Sequence, residues 1–472
     1  MLAIILLIVL GLILVMLTVI TYYLRTVFKQ YEAEDDAGAD VKTKKEGIAN
    51  SQDFVYTAII LVSVAMIGAV YLYVKGTPWE AHLMEWLNIL IRLMHITFGI
   101  AWIGASFYFV FLENALNRTK DVRDELAGNL WAVHGGGFYY LEKYKVAPKT
   151  IPKHLHWFKY EAYFTWLSGF CLLFVVYYFN ATALLIDKNV LNIAPVTGIA
   201  IGVVSFVVAW IIYDLLCKST LIKKPVWFTL IGVAVLVGFA YFYSHVFSGR
   251  AAYIHFGAMI GSIMVANVFF VIIPSQKAMV KAASNGLQLN PQLGKNALNR
   301  SLHNNYFTLP VLFVMISNHF PTTFGYENPW LILIIISLGT AGVKHYLNLK
   351  EKGQIAIWVL PISVVILLAG AFISAPAKDP GACNTKIEFS EVNAIVQERC
   401  TSCHSSKPTD DVYKAPPNGV VYDTPDDIVR KKDLIMQRVV VTKTMPQNNK
   451  TNITQKERDI IRCWIEQGAS VK

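Results

Sequence analysis

A chain of 472 residues that is 55% hydrophobic and only 16% charged is not a soluble globular protein, because uncharged runs of membrane-spanning length recur along it. Its net charge of +10 is no nucleic-acid signature: residues 383–472 hold 14 Lys/Arg and 12 Asp/Glu, so the other +8 lies in and between the apolar runs. The expected surround is a lipid bilayer, with no nucleic acid as partner.

The first apolar run, 1–24, has neither a basic n-region nor a small-residue cleavage site and reads as a retained anchor. Others follow at about 53–75, 82–112, 158–180, 194–216, 225–247, 252–274, 304–319, 328–348 and 356–375, making ten spans. The third is long enough to tilt or protrude. The eighth is short and contains Pro310. The chain thus divides into two N-terminal spans with a basic loop (1–80), an eight-span domain (81–375), a linker rich in Pro, Gly and Ala (376–382) and a polar tail domain (383–472).

Ionisable groups at membrane depth are costly and mark function by default. Arg92 and His95, at i and i+3 on the third span, share a face near mid-membrane. They read either as a structural pair or as a haem b ligand, proton carrier or substrate contact. His245, His255 and His319 map to the outer ends of their spans, where neutral imidazoles ligate a second haem or a metal if they pair, and otherwise are interfacial polar residues. His303 and His345 fall on the inner side. Asn267 in the seventh span is a candidate interhelical hydrogen bond or substrate contact. A weak echo, Arg92-Leu-Met-His95 against Ala252-Tyr-Ile-His255, hints at a repeated four-helix unit.

The loop between the third and fourth spans carries Trp131-Ala-Val-His134-Gly-Gly-Gly-Phe138. Three glycines let the backbone approach a ligand, or simply form a flexible turn between two interfacial helices. No GK[ST] follows, so this is not a phosphate loop. With Trp131, Trp157 and Arg92 to hand, a planar anion could stack and pair here, with His134 as a catalytic candidate beside Arg92 and His95.

In the tail, Cys400-Thr-Ser-Cys403-His404 is the attachment signal for c-type haem. Both thiols add to the porphyrin and His404 ligates the iron; a zinc knuckle would need a second Cys/His pair that does not follow. The run 389–396 opens like a capped helix, with Ser390 as candidate N-cap. Of the two methionines in the tail, Met436 lies in a helical run and belongs to the core, whereas Met445, before Pro446, is the expected second axial ligand. Thr454–Gly468 forms a closing helix against the first. The pattern resembles small class I cytochromes c, so the expected fold is all-α: a polytopic helical membrane bundle plus a small cytochrome c domain. Cys171 and Cys217 read as inert small hydrophobes, while Cys383 and Cys463 either pair or remain free thiols.

Covalent haem is attached outside the cytoplasm, which places the tail and, through ten spans, the amino terminus on the extracytoplasmic side. The loops then left inside, with their flanks, hold 22 Lys/Arg against three outside (Lys75, Lys188 and Arg250), in accord with the positive-inside rule.

The runs Met94-His95-Ile-Thr-Phe-Gly99-Ile-Ala-Trp102-Ile-Gly104, Leu130-Trp131-Ala-Val-His134-Gly-Gly-Gly-Phe138 and His154-Leu-His156-Trp157-Phe-Lys-Tyr-Glu161 resemble the bacterial membrane-bound urate oxidases (urate hydroxylases), in which a polytopic domain is fused to a C-terminal cytochrome c. The likeness covers about 80–472, so the first two spans look like an addition to the usual eight. The resemblance implies two-electron oxidation of urate toward 5-hydroxyisourate in the bacterial cytoplasmic membrane. Electrons would leave through haem c to a terminal cytochrome oxidase or a soluble cytochrome c. The rival readings are a non-catalytic electron-transfer subunit between a quinol or partner enzyme and the oxidase, and a transporter with a tethered cytochrome.

Overall fold

The computed structural model describes residues 66–471 other than 67, 71, 149, 153, 376–380 and 382. The predicted first span, the basic loop after it, most of the second span and the linker apart from Gly381 lie outside the described residues. By internal contacts the chain divides into Met1–Glu85 and Trp86–Lys472. In the first unit a short helical stretch ends where the Thr77 hydroxyl donates to the Val74 carbonyl at 2.6 Å, just before the helix that carries the third predicted span.

The second unit is mostly helical. Its long elements are α1 (Pro78–Ala115, begun in the first unit), α2 (Tyr160–Leu173), α3 (Pro195–Lys218), α4 (Pro225–Val246), α5 (Gly249–Ala266), α6 (Ile273–Ser284), α7 (Pro291–Ile316), α8 (Pro329–Glu351) and α9 (Val359–Ile373). Proline opens α3, α4, α7 and α8, where its missing N–H costs nothing and its fixed φ suits the first turn. Six helical runs among the described residues are long and apolar enough to cross a membrane: His82–Ala115, Tyr160–Tyr178, Pro195–Lys218, Pro225–Val246, Gly249–Ser284 and Pro329–Glu351. They coincide with six of the predicted spans.

Two other predicted spans take different forms. The eighth belongs to α7, which starts at Pro291 with the Asn290 side chain accepting from the Gln292 N–H at 3.0 Å, well before the apolar run. Its first half is polar, so hydropathy alone hid it. The tenth is α9, only 15 residues long, or about 22 Å at 1.5 Å per residue.

The expectation of an all-α chain with a helical or flexible segment between α1 and α2 is corrected. That segment is an antiparallel hairpin, β1 (Leu126–His134) and β2 (Gly137–Tyr144), with Trp131 opposite Tyr140 and His134 opposite Gly137. Gly135 (φ 56°) and Gly136 (φ 79°) form its two-residue turn, a left-handed pair that side chains resist. The triple glycine is therefore a hairpin tip.

The core of the bundle is built around α5, whose Ala251, Tyr253, His255, Phe256, Met259 and Ile260 are all buried. Continuous burial explains why this span lacks an amphipathic pattern. Tyr177, Tyr178, Phe206, Tyr243 and Phe247 pack around it.

The tail contains α10 (Phe389–Arg399), α11 (Pro425–Arg430) and α12 (Gln455–Glu466). Its core joins Val392, Val396, Ile428, Ile461 and Trp464, and Phe389 lies 5.7 Å from Trp464 between ring centroids, so the closing helix packs on the first as expected. Thr454 and Glu457 make a capping box at the start of α12. The N-cap of α10 is Glu388, with no side-chain cap bond, rather than Ser390, which lies in the first turn. Cys383 and Cys463 are joined by a disulfide across 80 residues of sequence, which settles their alternative as free thiols.

Candidate functional site

The CxxCH segment follows directly from α10. His404 N–H bonds back to the Cys400 carbonyl at 2.9 Å, which sets the imidazole one turn beyond the first thiol. The Nδ1 of His404 lies 3.0 Å from the Val420 carbonyl, the arrangement that fixes the tautomer and turns Nε2 toward a metal. Burial holds His404 below the usual histidine range, outweighing the Val420 bond, so the ring is neutral at physiological pH as a ligand must be. Cys400 and Cys403 are free thiols. Burial pushes Cys400 up to about 12, the opposite of the low value a redox CxxC pair needs.

Met445 packs against the tail core. Its backbone is held on both sides: its N–H donates to the Arg438 carbonyl at 3.0 Å, and its carbonyl accepts from Arg458 at 2.8 Å. Arg458 is buried and also bonds the Val439 carbonyl. The donor set has the chemistry for a haem c: Cys400 and Cys403 would hold it, and His404 and Met445 are the side chains that would ligate its iron.

Asp410 buttresses the same loop. It accepts from the N–H groups of Val412 (2.8 Å) and Tyr413 (3.0 Å) and pairs with Lys450 at 2.6 Å. Burial alone would raise its carboxyl, but Lys450 and those N–H groups outweigh it and hold Asp410 at about 2. Stability carried by a depressed carboxyl is fully present above the unfolded value of about 4 and is lost as pH falls from there toward 2. Asp410→Asn is accordingly expected to lack that acid limb, read as hydrogen exchange in α10 and α12 across an acid titration. A variant with the wild-type acid profile would refute the assignment.

The Met445 loop is also what seats the tail on the bundle. Asn448 Nδ2 donates to the carbonyls of Ala183 (3.0 Å) and Ile186 (2.9 Å), Gln447 Nε2 donates to Ala183 (2.6 Å), and Asn189 Nδ2 donates to the Asn448 carbonyl (3.1 Å). Asn448 and Asn449 are left-handed (φ 52° and 49°), a conformation asparagine tolerates better than most residues. Close by, Arg250 bonds Asn318 at 3.0 Å and lies over the Tyr177 ring. The double variant Gln447→Ala, Asn448→Ala removes three of these bonds. It should raise hydrogen exchange at 181–189 and 445–450 at least about tenfold, taking roughly 1 kcal/mol per bond; unchanged protection would show that the bonds do not hold the tail.

The membrane histidines are distributed rather than gathered. His255 is wholly buried among Tyr178, Phe206, Tyr243 and Phe247, with ring centroids 4.4–6.0 Å away. Both its nitrogens are engaged, Nδ1 with the Ala251 carbonyl (2.9 Å) and Nε2 with the Tyr178 hydroxyl (3.1 Å). A Cβ on Gly202 would sit 2.9 Å from that Nε2 and 2.6 Å from the Tyr178 oxygen, so only glycine admits this contact. His245 is exposed, stacked on Tyr241 at 3.9 Å, and His319 is exposed in the short turn Ser317–His319. These three therefore lie in separate settings, and both ring nitrogens of His255 are already engaged by protein groups. Among the described residues no three His, Cys, Asp or Glu side chains converge as a metal site.

Arg92 and His95 also part company. Arg92 is exposed and bonds Asn88 at 3.0 Å, whereas His95 turns into α2, its Nδ1 3.0 Å from the Thr165 carbonyl. His134 stands exposed beside the hairpin turn.

A polar cluster does exist inside the bundle, and most of it was missed by sequence reasoning. Arg300, buried, bonds Asp214 at 2.6 Å and Asn267 at 3.2 Å. Asn267 donates to Asn304 (2.8 Å) and to the Tyr213 hydroxyl (3.1 Å), which lies 2.8 Å from His303 Nδ1. Two signals were available: an aspartate inside an apolar span, and the Asn290-Pro291 helix start that brings Arg300 into a helix instead of a loop.

Residues 81–375 match the urate oxidase N-terminal family. No curated protein and no solved structure matches the chain. The match spans all of α2 to α9 and covers more than half of the sequence, so this apolar helical bundle with its buried polar centre belongs to the urate oxidase N-terminal family, and the protein is a urate-related oxidoreductase.

Proposed function

We propose that the protein is an oxidoreductase of the bacterial cytoplasmic membrane that converts urate to 5-hydroxyisourate and delivers the electrons to a terminal oxidase or soluble cytochrome c. In this reading the tail and both termini are extracytoplasmic. The balance is urate plus water giving 5-hydroxyisourate, two protons and two electrons; no oxygen is consumed at the site and no hydrogen peroxide forms there. A haem c on Cys400 and Cys403 would accept electrons one at a time.

The observation that carries the reading is the junction of two parts. A bundle of the urate oxidase N-terminal family is hydrogen-bonded, through Gln447 and Asn448, to the loop that holds the expected iron ligand Met445. The chain's own residues do three things there. His404 is kept neutral by burial and oriented by the Val420 carbonyl, Arg458 fixes the Met445 backbone, and the rings of Phe206, His255, Tyr178 and Tyr177 pack together inside the bundle.

Adding urate to anaerobic membranes that contain the protein should reduce two haems per urate, seen in the haem absorption bands. Absence of urate-dependent reduction, with dithionite-reducible haem present, would end the reading. Reduction that disappears when a partner enzyme is removed would mark an electron-transfer subunit instead, and urate accumulation in vesicles without oxidation would mark a transporter. A pyridine haemochrome spectrum tells whether haem b accompanies haem c.

A further inference from the structure

Beside the buried cluster, where α3, α6 and α7 meet, lies a cavity of about 500 Å³, within the usual range of about 300–1,000 Å³ for small-molecule sites. We propose that this cavity binds the purine: a planar, singly charged anion held against an aromatic wall by Lys218, with Arg300 and Asp214 behind it. The proposal rests on the urate-oxidising reading above and gives that activity a place.

The wall is Trp210 and Phe270, whose rings are near-parallel (29°) with centroids 5.8 Å apart. Phe270 sits on a π-helical segment, Asn267–Ile272, that ends two residues before Pro274. Proline has no N–H for the carbonyl four residues back, so the ladder cannot run through as a regular α-helix, and π-segments of this kind are frequent at functional sites. The widened turn sends Asn267 inward to Arg300 while Phe270 lines the cavity.

The charges suit a monoanion. Asp214 carries two cations, Arg300 at 2.6 Å and Lys218 at 2.6 Å, so the group has a net charge of +1. Arg300, with its side chain 6% exposed, is enclosed behind Asp214, whereas Lys218, the i+4 partner of Asp214, is 69% exposed at the cavity edge and keeps N–H groups free to meet a ligand. Asp214 and the Ser275 hydroxyl supply acceptors, and Lys218 and Ser275 supply donors, at one edge of the space. A purine edge presents the complementary alternation of N–H and C=O groups. Leu293 closes the apolar side.

Equilibrium binding of radiolabelled urate to the detergent-solubilised full chain tests this independently of turnover. Wild type should bind; Lys218→Met should bind about tenfold or more weakly, as expected for loss of one charge-assisted contact; Lys218→Arg should stay close to wild type; Leu293→Trp, which fills the cavity, should lose binding. Lys218 is largely exposed, so its variants leave the bundle intact, and dithionite-reducible haem checks this in each. Equal affinity in all four proteins, or no binding by wild type, overturns the proposal. Urate-dependent haem reduction is scored separately: wild-type reduction with unaltered affinity in the variants sinks the cavity and spares the reaction, whereas binding without reduction sinks the reaction and spares the cavity.

Discussion

Cys400→Ser combined with Cys403→Ser is expected to yield a membrane protein with no covalently bound porphyrin and no urate-dependent electron flow to an oxidase. Thioether attachment needs a thiol at each position, and serine cannot add to a vinyl group. The expected loss is complete, because no second gathered set of ligands exists among the described residues to take over. The check is in-gel haem staining after denaturation together with oxygen uptake by urate-fed membranes. The bundle itself should persist, since Cys400 and Cys403 belong to the tail and the bundle core is built from α2 to α8. Retained oxygen uptake would mean that electrons leave by another route.

Arg458→Met is the second large effect. Arg458 is buried and bonds the carbonyls of Val439 and Met445, with Asn449 at 3.5 Å. Methionine keeps the apolar stem but removes the guanidinium donor from the carbonyls of Val439 and Met445, at a cost of about 3 kcal/mol. That is a large share of the roughly 5–15 kcal/mol that holds a domain together. Because the lost bonds anchor Met445, ligation should fail before global folding does. The charge-transfer band of methionine-ligated ferric haem should fade at a denaturant concentration, or a temperature, at which the α10–α12 core still resists hydrogen exchange. Simultaneous loss of both would show that Arg458 supports the whole tail rather than the ligand loop. The Cys383–Cys463 disulfide, tying the start of the tail to α12, is what should keep the two events apart.

Much of this organisation was legible along the chain. Apolar runs of bilayer-spanning length with few charges are uncommon in other settings, so six spans could be read directly, and Cys-x-x-Cys-His with a later Met-Pro pointed to a haem site without any fold. Thr454 and Glu457, three apart, announced the start of α12 because their bonds are local. Local bonds and bulk transfer energies depend only on neighbours in sequence.

Where the inference missed, long-range contacts were at work. Ser390 has the chemistry of an N-cap, yet α10 starts two residues earlier than such a cap would set, at Phe389, whose ring packs on Trp464 in α12, far along the chain. The glycine run 135–137 was legible as a turn, but whether strands or helices flanked it depended on pairing Trp131 with Tyr140 across the loop. Spacing put Arg92 and His95 on one face of the third span, but only the packing of α2 gave His95 its Thr165 partner while Arg92 bonds Asn88.

Sequence was sufficient for the apolar spans, the resemblance to the family and the Cys-x-x-Cys-His motif of the tail, since each is written in contiguous residues. Tertiary structure was needed to bring Asp214, Asn267 and Arg300 from three separate helices into one cluster, to enclose His255 in rings, and to lay the Met445 loop on Ala183 and Ile186. Burial of a charge is tolerable only where partners from other elements converge, and that convergence depends on how the helices pack, which no stretch of neighbouring residues contains.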